Sequence, residues 1–228
     1  MDTQLTLILF HSTCYLLFLF LLWRAKEKKG LRLFDENGLA TNLPILIELQ
    51  VAGIVLFGIL PFVFEHPGSF IFFNGIDVTN LSSWITILFV LVSLMITPLI
   101  LGKNLRAFPG MINASSSPGT AYYVTYFVIR IIFIIAYESW FRGFLLTDSI
   151  VSFGVVWAIL SNVFLYALLH VVNGKDEVIA CFPYGLLLCG LCVWQGAVWP
   201  AVVIHLALTV PYELGFVRKL KLIIAYPV

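Results

Sequence analysis

The chain has 228 residues, of which 61% are hydrophobic and only 11% charged, with a formal net charge of +1. A soluble domain is about 45–50% apolar and ~25% charged, so this composition excludes a soluble globular fold and a disordered chain alike. The charge pattern also excludes a nucleic-acid binder, because no basic face is visible.

Lipid is therefore the solvent for most of the chain. A spanning helix takes ~20 apolar residues, so about seven spans fit, joined by short loops. The predicted architecture is all-α: a polytopic bundle of transmembrane helices without a soluble domain.

The first apolar run is Leu5 to Trp23. Its flank carries Asp2 and no Lys or Arg, and no small-residue cleavage site follows, so it reads as a retained span. Arg24 to Asn42 is polar and holds five basic residues. Span two runs from Leu43 to Phe64, followed by a Gly-, Asn- and Phe-rich loop from Glu65 to Ser83 that contains His66. Span three is Trp84 to Leu101. The loop Gly102 to Gly119 contains the breaker Ser115-Ser116-Ser117-Pro118-Gly119. Spans four to seven are predicted at Ala121–Leu146, Ile150–Val172, Val178–Trp194 and Ala197–Phe216. The expected organisation is an N-terminal three-span region, 1–119, and a core, 120–228.

Basic residues test this count. Arg24, Lys26, Lys28, Lys29 and Arg32 follow span one, and Lys103 and Arg106 follow span three. Lys175 follows span five, and Arg218, Lys219 and Lys221 follow span seven. With seven spans all of these share one side. That predicts an outside N-terminus, a cytoplasmic C-terminus and, most simply, a bacterial inner membrane. The sequons at Asn80 and Asn113 carry no weight. Cys14, Cys181, Cys189 and Cys192 all lie in apolar runs and read as packing residues, the C-x-x-C of Cys189 and Cys192 included.

Two basic residues remain, Arg130 and Arg142, both inside span four with Glu138. A charge at mid-bilayer costs from ~2.5 to well over 10 kcal/mol, so such residues face the bundle interior and are functional candidates. Glu138 and Arg142 are four apart and share a helix face. A structural ion pair is the alternative to a chemical role. Arg130 lies on roughly the same face, to pair with a carboxylate or to snorkel. His170 ends span five and His205 is near the middle of span seven. Two imidazoles and a carboxylate in a dry cavity suit general-base activation of water. They also suit a hydrolytic metal such as zinc, with His170, His205 and Glu138 as its ligands.

The stretch from Tyr137 through Glu138 and Arg142 to Leu145 resembles the E-E-x-x-x-R-G signature of the CAAX protease and bacteriocin-processing family of intramembrane proteases. Tyr166 to His170 resembles its F-x-x-x-H motif. Gly185 to Gly190, Trp199-Pro200 and His205 to Thr209 resemble its Gly-rich helix and final H-x-x-x-N/D motif. The resemblance implies a membrane endopeptidase acting on a membrane-associated or leader-bearing protein. It implies that His170 orients or activates water, that His205 and the residue at Thr209 serve the oxyanion, and that Arg142 holds Glu138. Two positions depart from the pattern: Tyr137 replaces the first glutamate and Thr209 the last Asn or Asp. Three readings follow for the missing base. Glu138 takes the role, or Glu177 substitutes from the loop Asn173 to Glu177, or the chain is a catalytically silent relative that binds a membrane partner. A transporter with a proton relay is disfavoured because no inverted repeat is visible.

Geometry adds one expectation. In a plain hairpin turning near Asp148, His170 lies about 15 Å nearer the cytoplasm than Glu138 at 1.5 Å per residue. An irregular or re-entrant connection from Thr147 to Gly154 shrinks that offset.

Overall fold

A computed structural model describes residues 3–35, 38–39, 42–64, 80–107 and 119–225. The Phe-rich loop 65–79 with His66, and the loop 108–118 with Asn113 and the serine breaker, lie outside the described residues. Seven helical runs are long and apolar enough to cross a membrane, and the chain is an integral multi-pass membrane protein.

The helices are α1 (Thr3–Glu27), α2 (Leu43–Ile54), α3 (Leu60–Phe64), α4 (Leu81–Ala107), α5 (Thr120–Glu138), α6 (Leu146–Phe153), α7 (Val155–Leu169), α8 (Lys175–Gln195) and α9 (Trp199–Ala225). A π-helical segment, Val55–Ile59, joins α2 to α3, and a second, Ser139–Leu145, joins α5 to α6. A 3-10 turn, His170–Asn173, ends the span of α7. Among the described residues, strand pairing is limited to a two-residue antiparallel ladder, Phe34–Asp35 with Gly38–Leu39.

Local chemistry fixes the helix starts. The Asn42 side chain accepts from the Ile45 amide at 3.3 Å, with Pro44 in the first turn of α2. Asn80 accepts from the Ser82 amide at 3.2 Å and opens α4. Both satisfy amides that the helix itself leaves unpaired. At the same end of the bundle as Asn80, Gln195 donates to the Ser82 carbonyl at 2.9 Å and to Thr86 Oγ1 at 2.7 Å, tying α8 to α4.

Spans four and five differ from expectation. Thr147, Asp148 and Ser149 read as a turn, yet they lie inside α6, and helix continues from Thr120 to Phe153, 34 residues. At 1.5 Å per residue such a run is about 50 Å long, well beyond a ~30 Å hydrocarbon core. Its end therefore reaches the interface, where the polar residues of α6 are at home. The chain reverses at Gly154, whose φ of +80° is strained for any residue with a Cβ.

Many large apolar side chains point outward, among them Phe20, Val63, Met95, Leu99, Val156 and Ile179, as expected where the solvent is lipid. The principal buried cluster mixes early and late helices. It contains Phe18 of α1, Phe57 of the first π segment, Trp140 and Phe141 of the second, and Tyr166 of α7. Phe57 lies 4.6 Å from Trp140 and 4.7 Å from Phe18, ring centre to ring centre.

Backbone approach in this cluster needs a glycine. A Cβ on Gly53 would fall 2.3 Å from the Phe133 ring and 2.9 Å from the Phe18 ring. Gly53→Ala is expected to lower stability by about 1–3 kcal/mol, the usual cost of overpacking. Gly190→Ala, on a helix face open to space, is expected to cost nothing. Thermal unfolding of the purified protein in detergent compares the two.

Candidate functional site

Glu138 is the last residue of α5 and Arg142 lies one turn on, inside the π segment. Both side chains are fully buried, and Arg142 Nη1 is 3.2 Å from Glu138 Oε2. The guanidinium also lies over the Tyr166 ring at 4.4 Å and near the Phe141 ring at 5.4 Å. A desolvated cation gains from such ring faces. π-helical turns recur at functional sites. Here Asn162 of α7 donates to the Phe141 carbonyl at 2.6 Å and accepts from the Cys189 thiol at 3.3 Å.

His205, from the second turn of α9, places Nδ1 2.5 Å from Glu138 Oε1. A carboxylate only accepts, so Nδ1 carries the proton and Nε2 is left for chemistry. His170 places Nδ1 2.8 Å from the Tyr166 carbonyl. By the same reasoning its Nδ1 is protonated, and its Nε2 has a lone pair in the neutral ring.

The chain reverses at Gly154 and not near Asp148, which shortens the expected offset between Glu138 and His170. Asn162 meets Phe141 and the Tyr137 and Tyr166 rings lie 6.0 Å apart, a register that leaves His170 a few residues beyond the level of Glu138. Tyr166 bridges them, with its ring 4.6 Å from His170 and beneath the Arg142 guanidinium, and His170 lies within electrostatic reach of Glu138.

Tyr137 is buried, and its ring lies 4.7 Å from Phe141, 6.0 Å from Tyr166 and 6.3 Å from His205. Its hydroxyl makes no hydrogen bond among the described residues, and neither does that of Tyr184, whose ring is 6.1 Å from His205. Thr209 lies on α9 one turn beyond His205 and is half-buried. Glu177 is in the first turn of α8 and not in a loop. Asn173 donates to its Oε1 at 2.6 Å, Arg32 pairs with its Oε2, and His170 Nε2 is 3.9 Å from Oε1. Glu177 thus sits at the edge of the site, already held by two partners.

A zinc site built from His170, His205 and Glu138 does not fit this arrangement. Among the described residues no three His, Cys, Asp or Glu side chains converge as ligands. One Glu138 oxygen accepts from the His205 Nδ1 proton and the other faces a guanidinium, both of which compete with a metal for the carboxylate.

Arg130 was expected to pair with a carboxylate or to snorkel; its partner, and several other contacts, were not anticipated. Arg130 pairs with Glu213 at 3.1 Å, and Tyr126 donates to the other Glu213 oxygen at 3.0 Å. His11 of α1 accepts from Trp140 Nε1 at 3.1 Å and contacts Asp148 Oδ2 at 3.1 Å. Glu213, Asn162 and His11 are each polar within an apolar run, and that was the available signal.

Removing one partner of a buried ion pair typically costs ~3–5 kcal/mol, whereas replacing both by apolar groups is often neutral. Glu138→Ala is expected to destabilise by about that amount, and Glu138→Leu combined with Arg142→Met to recover most of it. Denaturant unfolding of the single and double variants measures both.

Residues 117–210 match the protein-family model described as type II CAAX prenyl endopeptidase Rce1-like. The matched stretch is under half of the chain and contains Tyr137, Glu138, Arg142, His170, Glu177, His205 and Thr209. No curated protein and no solved structure matches the chain. The segment that carries the buried Glu138–Arg142–His205 cluster is thus Rce1-like, in keeping with the CAAX protease and bacteriocin-processing family.

Proposed function

We propose that the chain is an intramembrane endopeptidase that hydrolyses a peptide bond of a membrane-associated or leader-bearing protein. The observation that carries this reading is the His205 Nδ1–Glu138 Oε1 contact of 2.5 Å, with His170 within electrostatic reach of Glu138. A carboxylate that fixes the tautomer of one imidazole, near a second imidazole whose Nε2 points toward Glu177, can serve general acid–base chemistry. Its position in the Rce1-like segment supplies the reaction class.

In this reading His170 Nε2 takes a proton from water as the oxygen attacks the scissile carbonyl. Protonated His205 donates from Nε2 to the developing oxyanion, and Glu138 balances its charge. Such donors typically supply a few kcal/mol. Thr209, one turn on, presents a second donor, a hydroxyl, from the same face. The proton on His170 then passes to the leaving amine as the carbon–nitrogen bond breaks. Arg142 faces the second Glu138 oxygen and offsets the carboxylate charge. The step draws on no metal. The core is 120–228, and spans one and two hold the π segment in place. The distribution of basic residues favours a cytoplasmic C-terminus in a bacterial inner membrane.

A second reading, a silent relative that binds a membrane partner through the same cavity, is favoured by Tyr137. Its ring is packed among Phe133, Phe141 and Tyr166 where the family motif has a carboxylate.

Cleavage of a broad peptide library in detergent separates the two. Glu138→Ala, His170→Ala and His205→Ala are each expected to reduce cleavage by at least ~10²-fold. A folded wild type that cleaves nothing would favour the silent relative. Activity gained by Tyr137→Glu would then show that the rest of the site is intact.

A further inference from the structure

A cavity of about 220 Å³ adjoins the buried ion pair on the side of the α8–α9 turn. Its walls include Arg142, Leu146, Thr147, Ile150, Cys192 and Gly196, and neither histidine. Thr147 and Gly196 are exposed at one end, whereas Arg142 and Cys192 are buried at the other. Gly196 lies in the turn that ends α8, and α6 brings Thr147, Asp148, Ser149 and Ser152 to the same end of the bundle. The outer end of the cavity is therefore at the membrane surface and its inner end at the guanidinium.

The guanidinium has unmet hydrogen-bonding capacity. Arg142 Nε, Nη1 and Nη2 are buried, and none forms a hydrogen bond of normal geometry among the described residues. The nearby Glu138 oxygen stands at 3.2 Å without the alignment of a bond. The remaining neighbours are the Tyr166 ring and the Cys189 thiol, a weak acceptor. Buried donors left unmade cost ~1–3 kcal/mol each, more when charged. A cavity beside them with room for about seven waters at ~30 Å³ each offers the missing acceptors.

We infer that this cavity is a water-filled vestibule that hydrates the Arg142 guanidinium from the face of the α8–α9 turn, separately from the His170 edge of the site. Water is the occupant because Glu138 already balances the charge of Arg142. An anion would find no further cation among the lining residues, and an apolar guest would leave the guanidinium donors unpaired. If the peptidase reading holds, the vestibule supplies the water that each cleavage consumes. The inference itself does not depend on that reading.

Radiolytic hydroxyl-radical labelling of the full-length protein in detergent, read by mass spectrometry, tests it. Radicals formed from bound water attack neighbouring thiols. Cys192 and Cys14 are almost equally buried, at 4% and 3% exposure, but only Cys192 lines the cavity. Cys192 is expected to oxidise at least tenfold faster than Cys14. Thr147→Trp and Ile150→Trp, which fill the cavity, are each expected to abolish the difference, and either suffices where the other fails to fold. Equal rates in the folded wild type would overturn the inference. So would fast oxidation of Cys192 that persists in a folded, filled variant. Peptide cleavage plays no part in the readout, so a wild type without peptidase activity leaves the result intact.

Discussion

A carboxylate held away from water between a guanidinium and an imidazole is the constraint around which the helices are arranged. Glu138 has no exposed surface, and an ionised carboxylate in such a place persists only with partners. Arg142 comes from the same helical run, so that contact follows from a spacing of four. His205 comes from α9, so its contact fixes the rotation and height of α9 against α5. The Arg130–Glu213 pair, with Tyr126, repeats the arrangement two turns away on the same two helices. Moving from Glu138 to Arg130 along α5 corresponds to moving from His205 to Glu213 along α9, which requires the helices to be antiparallel. Two polar locks on one interface leave little freedom for α9 to slide.

The early helices contribute to the site through packing. Trp140 neighbours Glu138 in the chain and is wedged against Phe57, while its indole donates to His11. His11 in turn reaches Asp148 on α6. The π-helical segment that follows Glu138 is therefore held by α1 and by the facing π segment of span two. Arg32, just after α1, reaches Glu177 and Asn173 beside His170. Both sides of the candidate site rest on residues outside the Rce1-like segment.

Membrane residence, the number of spans and the Glu138–Arg142 pair were legible in the sequence. Apolar runs must become helices in lipid because backbone polar groups have no other partner there. Residues four apart on a helix meet whatever surrounds them. His170 and His205 could be picked out because a polar residue in a lipid-soluble run is costly. Their relation to Glu138 could not be read. It depended on the position of a single reversal, which the turn-like residues near Asp148 misplace and Gly154 sets. Thr147, Asp148 and Ser149 have turn-like composition, and only the interface position of α6 explains why they stay helical.

The sequence by itself determined what had to be buried and paired: an apolar chain of helical spans, with a few charges that need partners inside it. Those follow from transfer energies and helical periodicity, which are local. Only the tertiary structure decided the pairings. It gave Glu138 to His205, gave Arg130 to Glu213, tied Glu177 to Arg32, and packed Tyr137 among aromatic rings. Each of these joins residues distant in the chain, and their meeting depends on helix rotation and crossing that no local pattern encodes.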